Sequence, residues 1–421
     1  MSQHTPSPGH NLDSWSDSYA ERANALSVSE VRALFAVVSR PEVVSLAGGM
    51  PYVSALPQEV LSKSYHDLMH KRGNLAIQYS GGQGDETLRD QIRELMALEG
   101  IRSSVEDIVI TTGSQHGLDL LSGLFLEKDD VVLAEGPSYV GALGIFRHYE
   151  AHVEHVYTDN DGIDPDALEQ AILKLKAEKR KIKFLYLVPN FANPSGVTLA
   201  AERRPRIVEL CKRHHILIIE DNPYGLLYFE NKTPDALRAL DEEGIIYLGS
   251  FSKILAPGFR VGYVLAPPAI RDKLVLANES AILCPSAFSQ MMISEYLAHA
   301  DWQSQIDTFR GIYRERKDAA LEAMADYLPE LSTTRPDGGF YLWITLPDGV
   351  DSKAMLPLAV KELVAYTPGT AFFGDGTGQR HLRICYSYPT PDNIKLGIKR
   401  LASVINLQTE LLQTFSKGGS K

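Results

Sequence analysis

Between Asp107 and Pro268, short runs of aliphatic and β-branched residues alternate with longer amphipathic stretches, and no other feature of the sequence narrows the possible folds as much. The runs are "DIVITTG", "VVLAEGPSY", "HVEHVY", "IKFLYLVPN", "ILIIEDNPY", "IIYLGSFS" and "FRVGYVLAP". Between several of them lie helical patterns such as "DPDALEQAILKLKAEKR" (164–180) and "AAERRPRIVELCKRHH" (200–215). Strands this apolar are covered on both faces, and crossovers of helical length join parallel neighbours. The pattern predicts an α/β protein built on a mostly parallel, doubly covered sheet. Ligands of such sheets sit beyond the carboxyl ends of the strands, so the residues that follow each run are the ones to read for chemistry.

The chain of 421 residues is longer than one core usually serves, roughly 250–300 residues. After about residue 300 the pattern changes to a long helix, "DTFRGIYRERKDAALEAMADYL", then "GGFYLWITLP" and "LRICYSY". We therefore expect a large domain over 61–300 and a smaller α+β domain formed by the N- and C-terminal segments, 26–60 and 301–421. Residues 1–25, rich in Ser, Pro, Gly and Asn, are expected to form a flexible arm. "SVSEVRALFAVVSRP" predicts a serine-capped helix that ends near Pro41. The charge is acidic, 42 Lys+Arg against 53 Asp+Glu for a net −11, and it is spread along the chain, which argues against a nucleic-acid partner. Cys211, Cys284 and Cys385 are far apart, odd in number and without a CxxC pair, so neither a disulfide framework nor a thiolate metal site is indicated. With no signal-peptide pattern and no run of about 18 apolar residues, the expected setting is the cytoplasm, with no membrane association.

Lys253, in "GSFSKILAPGFRVGY", is a water-loving side chain among apolar neighbours. Desolvation lowers an amine's pKa and makes it a nucleophile toward an aldehyde, although a lysine that snorkels to the surface reads the same way in isolation. Asp221 ends the strand "ILII", where a partly buried carboxylate needs a charged or protonated partner such as a pyridinium N–H; an ordinary turn aspartate is the plainer reading. Tyr224, three residues on, and Asn193, on the "NPSG" turn, are neutral donors within reach of the same ring. "TTGSQHG" is a strand, a glycine turn and a helix start, so Ser114 and Gln115 stand where backbone N–H groups suit a phosphate; Ser250, Ser252 and Arg260 could add donors and charge. Tyr139 offers a stacking face or a core aromatic. Each signal alone is modest, but together they describe pyridoxal 5′-phosphate.

The ordered set "GSQ…Y…NPSG…DNPY…SFSKxxxPGFRVGY…LRICYS" resembles the fold-type I pyridoxal phosphate-dependent aminotransferases of class I/II, in particular the 2-aminoadipate and kynurenine aminotransferase group, over about residues 25–410. The resemblance implies a homodimer with active sites at the subunit interface. It implies that Lys253 is the Schiff-base lysine, Asp221 the partner of the pyridine nitrogen, and Asn193 and Tyr224 the donors to the ring hydroxyl. It assigns the phosphate to Ser114, Gln115, Ser250, Ser252 and Arg260, and the stacked ring to Tyr139. Tyr79, in "IQYSGGQGDETLR", matches a tyrosine that reaches the partner's phosphate, and Arg383, in "HLRICYS", the arginine that grips the substrate α-carboxylate. Gly49, in "GGMPYVSALP", matches a substrate-facing position; Tyr52 in the same segment stands where a small or acidic residue is the rule, a departure that bears on side-chain preference.

For the substrate side chain, Ser29 and Arg32 share one face of the N-terminal helix, where some aminoadipate-type relatives meet a distal carboxylate; a cap serine and a solvated arginine read equally well. The resulting expectation is an aminotransferase coupled to 2-oxoglutarate/glutamate with broad donors: 2-aminoadipate, aromatic or branched-chain amino acids. Alternatives are another reaction of the same cofactor, a C–S or β-elimination lyase or an amino-acid oxidase. A non-catalytic sensor of the kind carrying a helix-turn-helix domain is less expected, since the arm is too short to hold one.

Overall fold

The computed structural model describes residues 14–25 and 40–418. After a short strand β1 (Val44–Ser45), each of the quoted runs contains a strand: β2 (Ile108–Thr111), β3 (Val131–Gly136), β4 (His152–Asp159), then β6 (Ile182–Leu187), β7 (Leu217–Asp221), β8 (Ile245–Ser250) and β9 (Gly262–Leu265). A two-residue strand β5 (Gly162–Ile163), too short to read from the sequence, returns antiparallel on β4. Together they form one eight-stranded sheet in the order β2-β9-β8-β7-β6-β3-β4-β5. Only β9 and β5 run against their neighbours; the remaining pairs are parallel, as the helical crossovers require.

Period-2 alternation divides the side chains between the two faces. Val131, Leu133, Leu185, Leu187 and Ile218 pack in one apolar cluster with Leu168, Ile172 and Leu210, from the helices Pro165–Ala177 and Arg204–His214. Val132, Phe184, Tyr186 and Ile219 face the other, larger cluster. The crossover helices have legible ends: Asp164 caps Pro165–Ala177 by accepting from the amides of Asp166 and Ala167, and Arg204–His214 stops at His215, left-handed with φ 56°. Strand β4, bordered on its outer side only by the two-residue β5, is the most open, with Val156 its one buried residue.

Beyond residue 300, the expected long helix is Trp302–Tyr327, and it packs on the last helix, Pro391–Gly418. A smaller antiparallel sheet has the order β10-β13-β12, with β10 Tyr341–Thr345, β12 Thr367–Pro368 and β13 His381–Cys385. The N-terminal β1 pairs in parallel with β11 (Val364–Ala365), which ties the segment around Gly49 to the C-terminal part of the chain. Within 14–25, where the composition announces no element, Ser16–Ser18 and Glu21–Ala25 form 3₁₀ turns and Lys128 Nζ reaches Glu21 Oε1 at 3.2 Å. Of the helix read over 27–41, residues 27–39, with Ser29 and Arg32, lie outside the described residues.

Candidate active site

Because β2, β3, β6, β7 and β8 point the same way, their carboxyl ends meet along one edge of the large sheet. There a cavity of about 270 Å³ is lined by Ser114, Gln115, Tyr139, Asn193, Asp221, Tyr224, Ser250, Ser252, Lys253, Arg260, Arg383 and Gly49. The structure thus brings together every expected site residue except Tyr79, Ser29 and Arg32. Tyr79 is 77% exposed and not part of the lining; Ser29 and Arg32 lie outside the described residues. Tyr341, Val140, Val188, Pro223 and Pro257 complete the lining and were not anticipated.

One end of the cavity is built for an anion. Gly113, with φ 79°, turns the chain from β2 into the helix Ser114–Phe125. A Cβ there would stand 2.5 Å from Arg260 Nη2, so the position needs glycine for both its backbone and its space. The helix start presents free amide N–H groups and the positive end of the helix dipole. Across the cavity, Ser250 Oγ accepts from the amide of Ser252 at 3.1 Å, and Arg260 donates only to the carbonyls of Thr112 and Pro257. No carboxylate of the described residues neutralises Arg260, so its charge is available to a ligand.

Lys253 follows β8 and is half-buried. Its Nζ donates to the carbonyl of Gly49 at 2.8 Å and stands 5.7 Å from the centre of the Phe340 ring. Desolvation, reinforced by the positive Arg383 and Arg260, pulls the amine down to about 8, so about a tenth of it is neutral at pH 7, far more than for an ordinary lysine. An amine in this state can act as a nucleophile toward an aldehyde.

Asp221, at the end of β7, is 5% exposed. Oδ2 accepts the hydroxyl of Tyr186 at 2.8 Å, whereas Oδ1 is buried and has no hydrogen-bond partner. Burial pushes the carboxyl up to about 6, with the Tyr186 hydrogen bond opposing the rise. A buried acceptor oxygen at a cavity wall calls for an N–H donor from the ligand. Tyr224 and Tyr341 touch through their hydroxyls at 3.2 Å, and Tyr139 donates to Gln115 Oε1 at 3.3 Å.

Arg383 comes from β13 and is 3% exposed. It donates to Asn193 Oδ1 at 2.6 Å through Nη1, and to Ala47 O at 2.5 Å and Thr367 Oγ1 at 3.2 Å through Nη2. The guanidinium lies between the rings of Tyr341 and Phe372, 4.4 and 4.9 Å from their centres. Nε remains buried without a partner, and no carboxylate of the described residues pairs with the charge. A buried, uncompensated cation is costly, and a carboxylate from a ligand would relieve it. Tyr52, expected to bear on side-chain preference, sits instead against Arg316, whose guanidinium lies 4.1 Å from its ring centre, and is not part of the lining.

The donor set therefore fits a planar, phosphorylated carbonyl compound with a protonated ring nitrogen, together with a carboxylate at Arg383. Comparison with known proteins agrees. The family model "Aminotransferase class I and II" matches residues 42–401. Aromatic-amino-acid aminotransferase 1 of Thermococcus litoralis is 38% identical over 390 residues, 92% of this chain and 94% of the relative. The 2-aminoadipate transaminase of Thermus thermophilus is 34% identical over 397 residues, 93% of this chain and 97% of the relative. The solved kynurenine aminotransferase of Pyrococcus horikoshii, in complex with PMP, superposes with a TM-score of 0.90 at 37% identity, covering 94% of this chain and 99% of that one.

Proposed function

This chain belongs to the class I and II aminotransferase family and is a pyridoxal 5′-phosphate-dependent aminotransferase of fold type I, and we propose that it moves an amino group between broad L-amino-acid donors and 2-oxoglutarate. The observation that carries the residue assignment is the convergence of Lys253, Asp221 and Arg383 on one cavity, each with an unmet chemical need.

Bound pyridoxal 5′-phosphate supplies an electron sink next to the substrate Cα. In this reading Ser114, Gln115, Ser250, Ser252 and Arg260 hold the phosphate, Tyr139 covers the ring, and Asn193 and Tyr224 donate to the ring hydroxyl. Asp221 accepts the ring N–H through Oδ1 and keeps that nitrogen charged. Lys253 would hold the cofactor through its carbonyl carbon, and its freed amine would move a proton at the substrate Cα. Arg383 holds the substrate carboxylate with its remaining N–H groups, and the Tyr341 and Phe372 rings fix the fork. Gly49 leaves the room beside Tyr341, since a Cβ there would overlap the Tyr341 hydroxyl.

The donors proposed are 2-aminoadipate, aromatic and branched-chain amino acids, in line with the relatives' names, with Ser29 and Arg32 meeting a distal carboxylate. The same proposal includes a homodimer, in which Tyr79 completes the partner's phosphate site. Its 77% exposure, two residues from Ile77 at 72%, supports that role. It also includes the division into a cofactor domain over 61–300 and a small domain over 26–60 and 301–421, and a cytoplasmic setting consistent with three free cysteines. Among the described residues no helix is long and apolar enough to cross a membrane.

The test is a half-reaction scan: single amino acids are added to the purified holoenzyme without any 2-oxo acid, and visible absorption and products are recorded. Loss of the cofactor's visible band with one 2-oxo acid formed per site is expected for the proposed donors. Ammonia release, or a band that persists with every donor, overturns transamination. Borohydride reduction should fix the cofactor mass to the peptide carrying Lys253; a different labelled lysine would refute that assignment.

A further inference from the structure

The role of Tyr186 is not explained by packing alone. Its ring is fully buried in the larger apolar cluster, edge-on to Phe146 with centroids 5.5 Å apart, and a phenylalanine would fill that place as well. What the ring adds is a hydroxyl that donates to Asp221 Oδ2 at 2.8 Å. This is the one hydrogen bond to the Asp221 carboxylate from the described residues, and no described cation pairs with that carboxylate. A carboxylate with two free oxygens turns about its terminal torsion and presents either one. Pinned at Oδ2, it presents Oδ1, which is the oxygen left buried and unpartnered.

We propose that Tyr186 is a positioning residue for the cofactor's ring nitrogen: by holding Asp221 Oδ2 it directs Oδ1 to accept the ring N–H. The proposal rests on the reading of Asp221 as the partner of that nitrogen. Supporting it, burial drives the Asp221 carboxyl upward while the Tyr186 bond works against the rise and favours the ionised form a pyridinium needs. The neighbouring carboxyl of Glu135, on β3, accepts the amide of Val188 at 2.8 Å and is itself pushed up to about 8 by burial. It is therefore mostly neutral at pH 7 and leaves the ionised role to Asp221. Register explains the pairing: Tyr186 on β6 lies opposite Ile219 on β7, two residues before Asp221 and on the same face.

The experiment measures dissociation constants of the apoprotein for pyridoxal 5′-phosphate and for its 1-deaza analogue, which keeps the aldehyde and phosphate but lacks the ring nitrogen. The ratio of the two constants reports only on the nitrogen contact, and no turnover is needed. Tyr186→Phe should lower the wild-type preference for the natural cofactor about tenfold while binding the analogue as wild type does. Asp221→Ala should erase the preference. Phe146→Leu, which loosens the ring's packing but spares the hydroxyl, should keep it. If Asp221→Ala keeps the wild-type ratio, the reading of Asp221 fails and Tyr186 falls with it. If only Tyr186→Phe keeps it, or Phe146→Leu lowers it equally, the proposal alone is overturned. Should Tyr186→Phe not fold, 3-fluorotyrosine at 186, a stronger donor of the same shape, must raise the ratio above wild type; an unchanged ratio refutes the proposal.

Discussion

Two buried polar regions lie behind and in front of the strand end at Asp221, and they are built on opposite terms. Behind it, Tyr247 donates to Glu99 at 2.5 Å, and Asn222 donates to the other oxygen of Glu99 at 2.7 Å. Asn190 donates to Asn222 at 3.1 Å, and Arg204 donates to Asn190 at 2.7 Å. Arg204 spends its remaining donors on the carbonyls of Leu199, Pro189, Pro234 and Asp235. No side-chain atom of this chain of bonds is left without a partner. In front, Asp221 Oδ1 and Arg383 Nε are buried and unmatched, and the amine of Lys253 is pulled down to about 8 by desolvation. Arg204 and Arg383 are 2% and 3% exposed, so burial does not separate them. Satisfaction does: a closed network fixes a strand end, and an open one waits for a ligand.

Substitutions should break this contrast in opposite ways. The largest effect belongs to Lys253→Ala, which on the proposed reading removes both the cofactor's attachment and the mobile base: kcat should fall by about 10³-fold or more, with single-turnover product formation as the measurement. A variant within tenfold of wild type would reassign the base. Next comes the arginine pair. Arg383→Met should lower kcat/KM for amino acids by roughly 10²–10³-fold, corresponding to the loss of a charged, hydrogen-bonded contact, and should leave apoprotein stability nearly unchanged, because relief of the buried, uncompensated charge offsets the donors lost to Asn193 and the Ala47 carbonyl. Arg204→Met should do the reverse, costing about 3–5 kcal/mol in denaturant unfolding because Asn190 and several carbonyls lose their donor, with kcat/KM per folded site preserved. Equal behaviour of the two variants would dissolve the distinction between closed and open networks.

How far the sequence announced these regions differs between them. The strands were legible because burial on both faces leaves uninterrupted Val/Ile/Leu runs; the candidate residues of the large sheet followed from the rule that ligands sit at strand ends, and Arg383, Tyr79 and Gly49 from the family resemblance. β5, β11 and β12 were not, since two residues carry no periodicity. Within the site, Lys253 and Asp221 stand out as charges beside apolar runs, whereas Tyr341 and Tyr186 sit inside such runs and read as core aromatics. The signal available for Tyr186 was its parity with the strand end on the next strand, which needs the register to be known. The closed network was hidden for the same reason. Arg204 lies in "AAERRPRIVELCKRHH", whose charges look solvated, and nothing in the spacing distinguishes it from Arg203, which pairs with Asp159 at 2.8 Å near the surface.

Asp221→Asn sharpens the comparison through stability. The folded carboxyl is raised from 3.8 to about 6 by burial, so its favourable, protonated state is fully present only below about pH 4 and is lost as the pH rises through 6. Above that, the apoprotein carries a buried charge with one hydrogen bond. The neutral amide should therefore stabilise the apoprotein at pH 7.5 by about 1–3 kcal/mol, the difference vanishing near pH 4, while activity drops sharply. Thermal unfolding of cofactor-free wild type and variant across pH 4–8 measures it; a destabilised variant at pH 7.5 would mean Asp221 belongs to the closed kind of network.

Lys253 supplies the smallest and most specific effect, with the sign reversed in pH. Burial lowers its amine from 10.5 to about 8, so the folded apoprotein prefers the neutral form more than the unfolded chain does. Below about pH 8 both states hold the proton and the folded one bears the cost of a shielded ammonium; between about 8 and 10.5 the unfolded chain still holds a proton that the fold has released, and stability rises with pH. Lys253→Met removes this dependence, and the methionine also leaves the Gly49 carbonyl without its donor, a constant offset that does not vary with pH. Because the lysine is only half-buried, solvent reduces the size of the effect, and wild type should gain on the variant by about 1–2 kcal/mol between pH 8 and 10.5. The slope of the difference, measured by urea unfolding of the two apoproteins, is the quantity that matters: a flat line would show that the amine is solvated at rest, and the open half of the comparison would then stand on Asp221 and Arg383 alone.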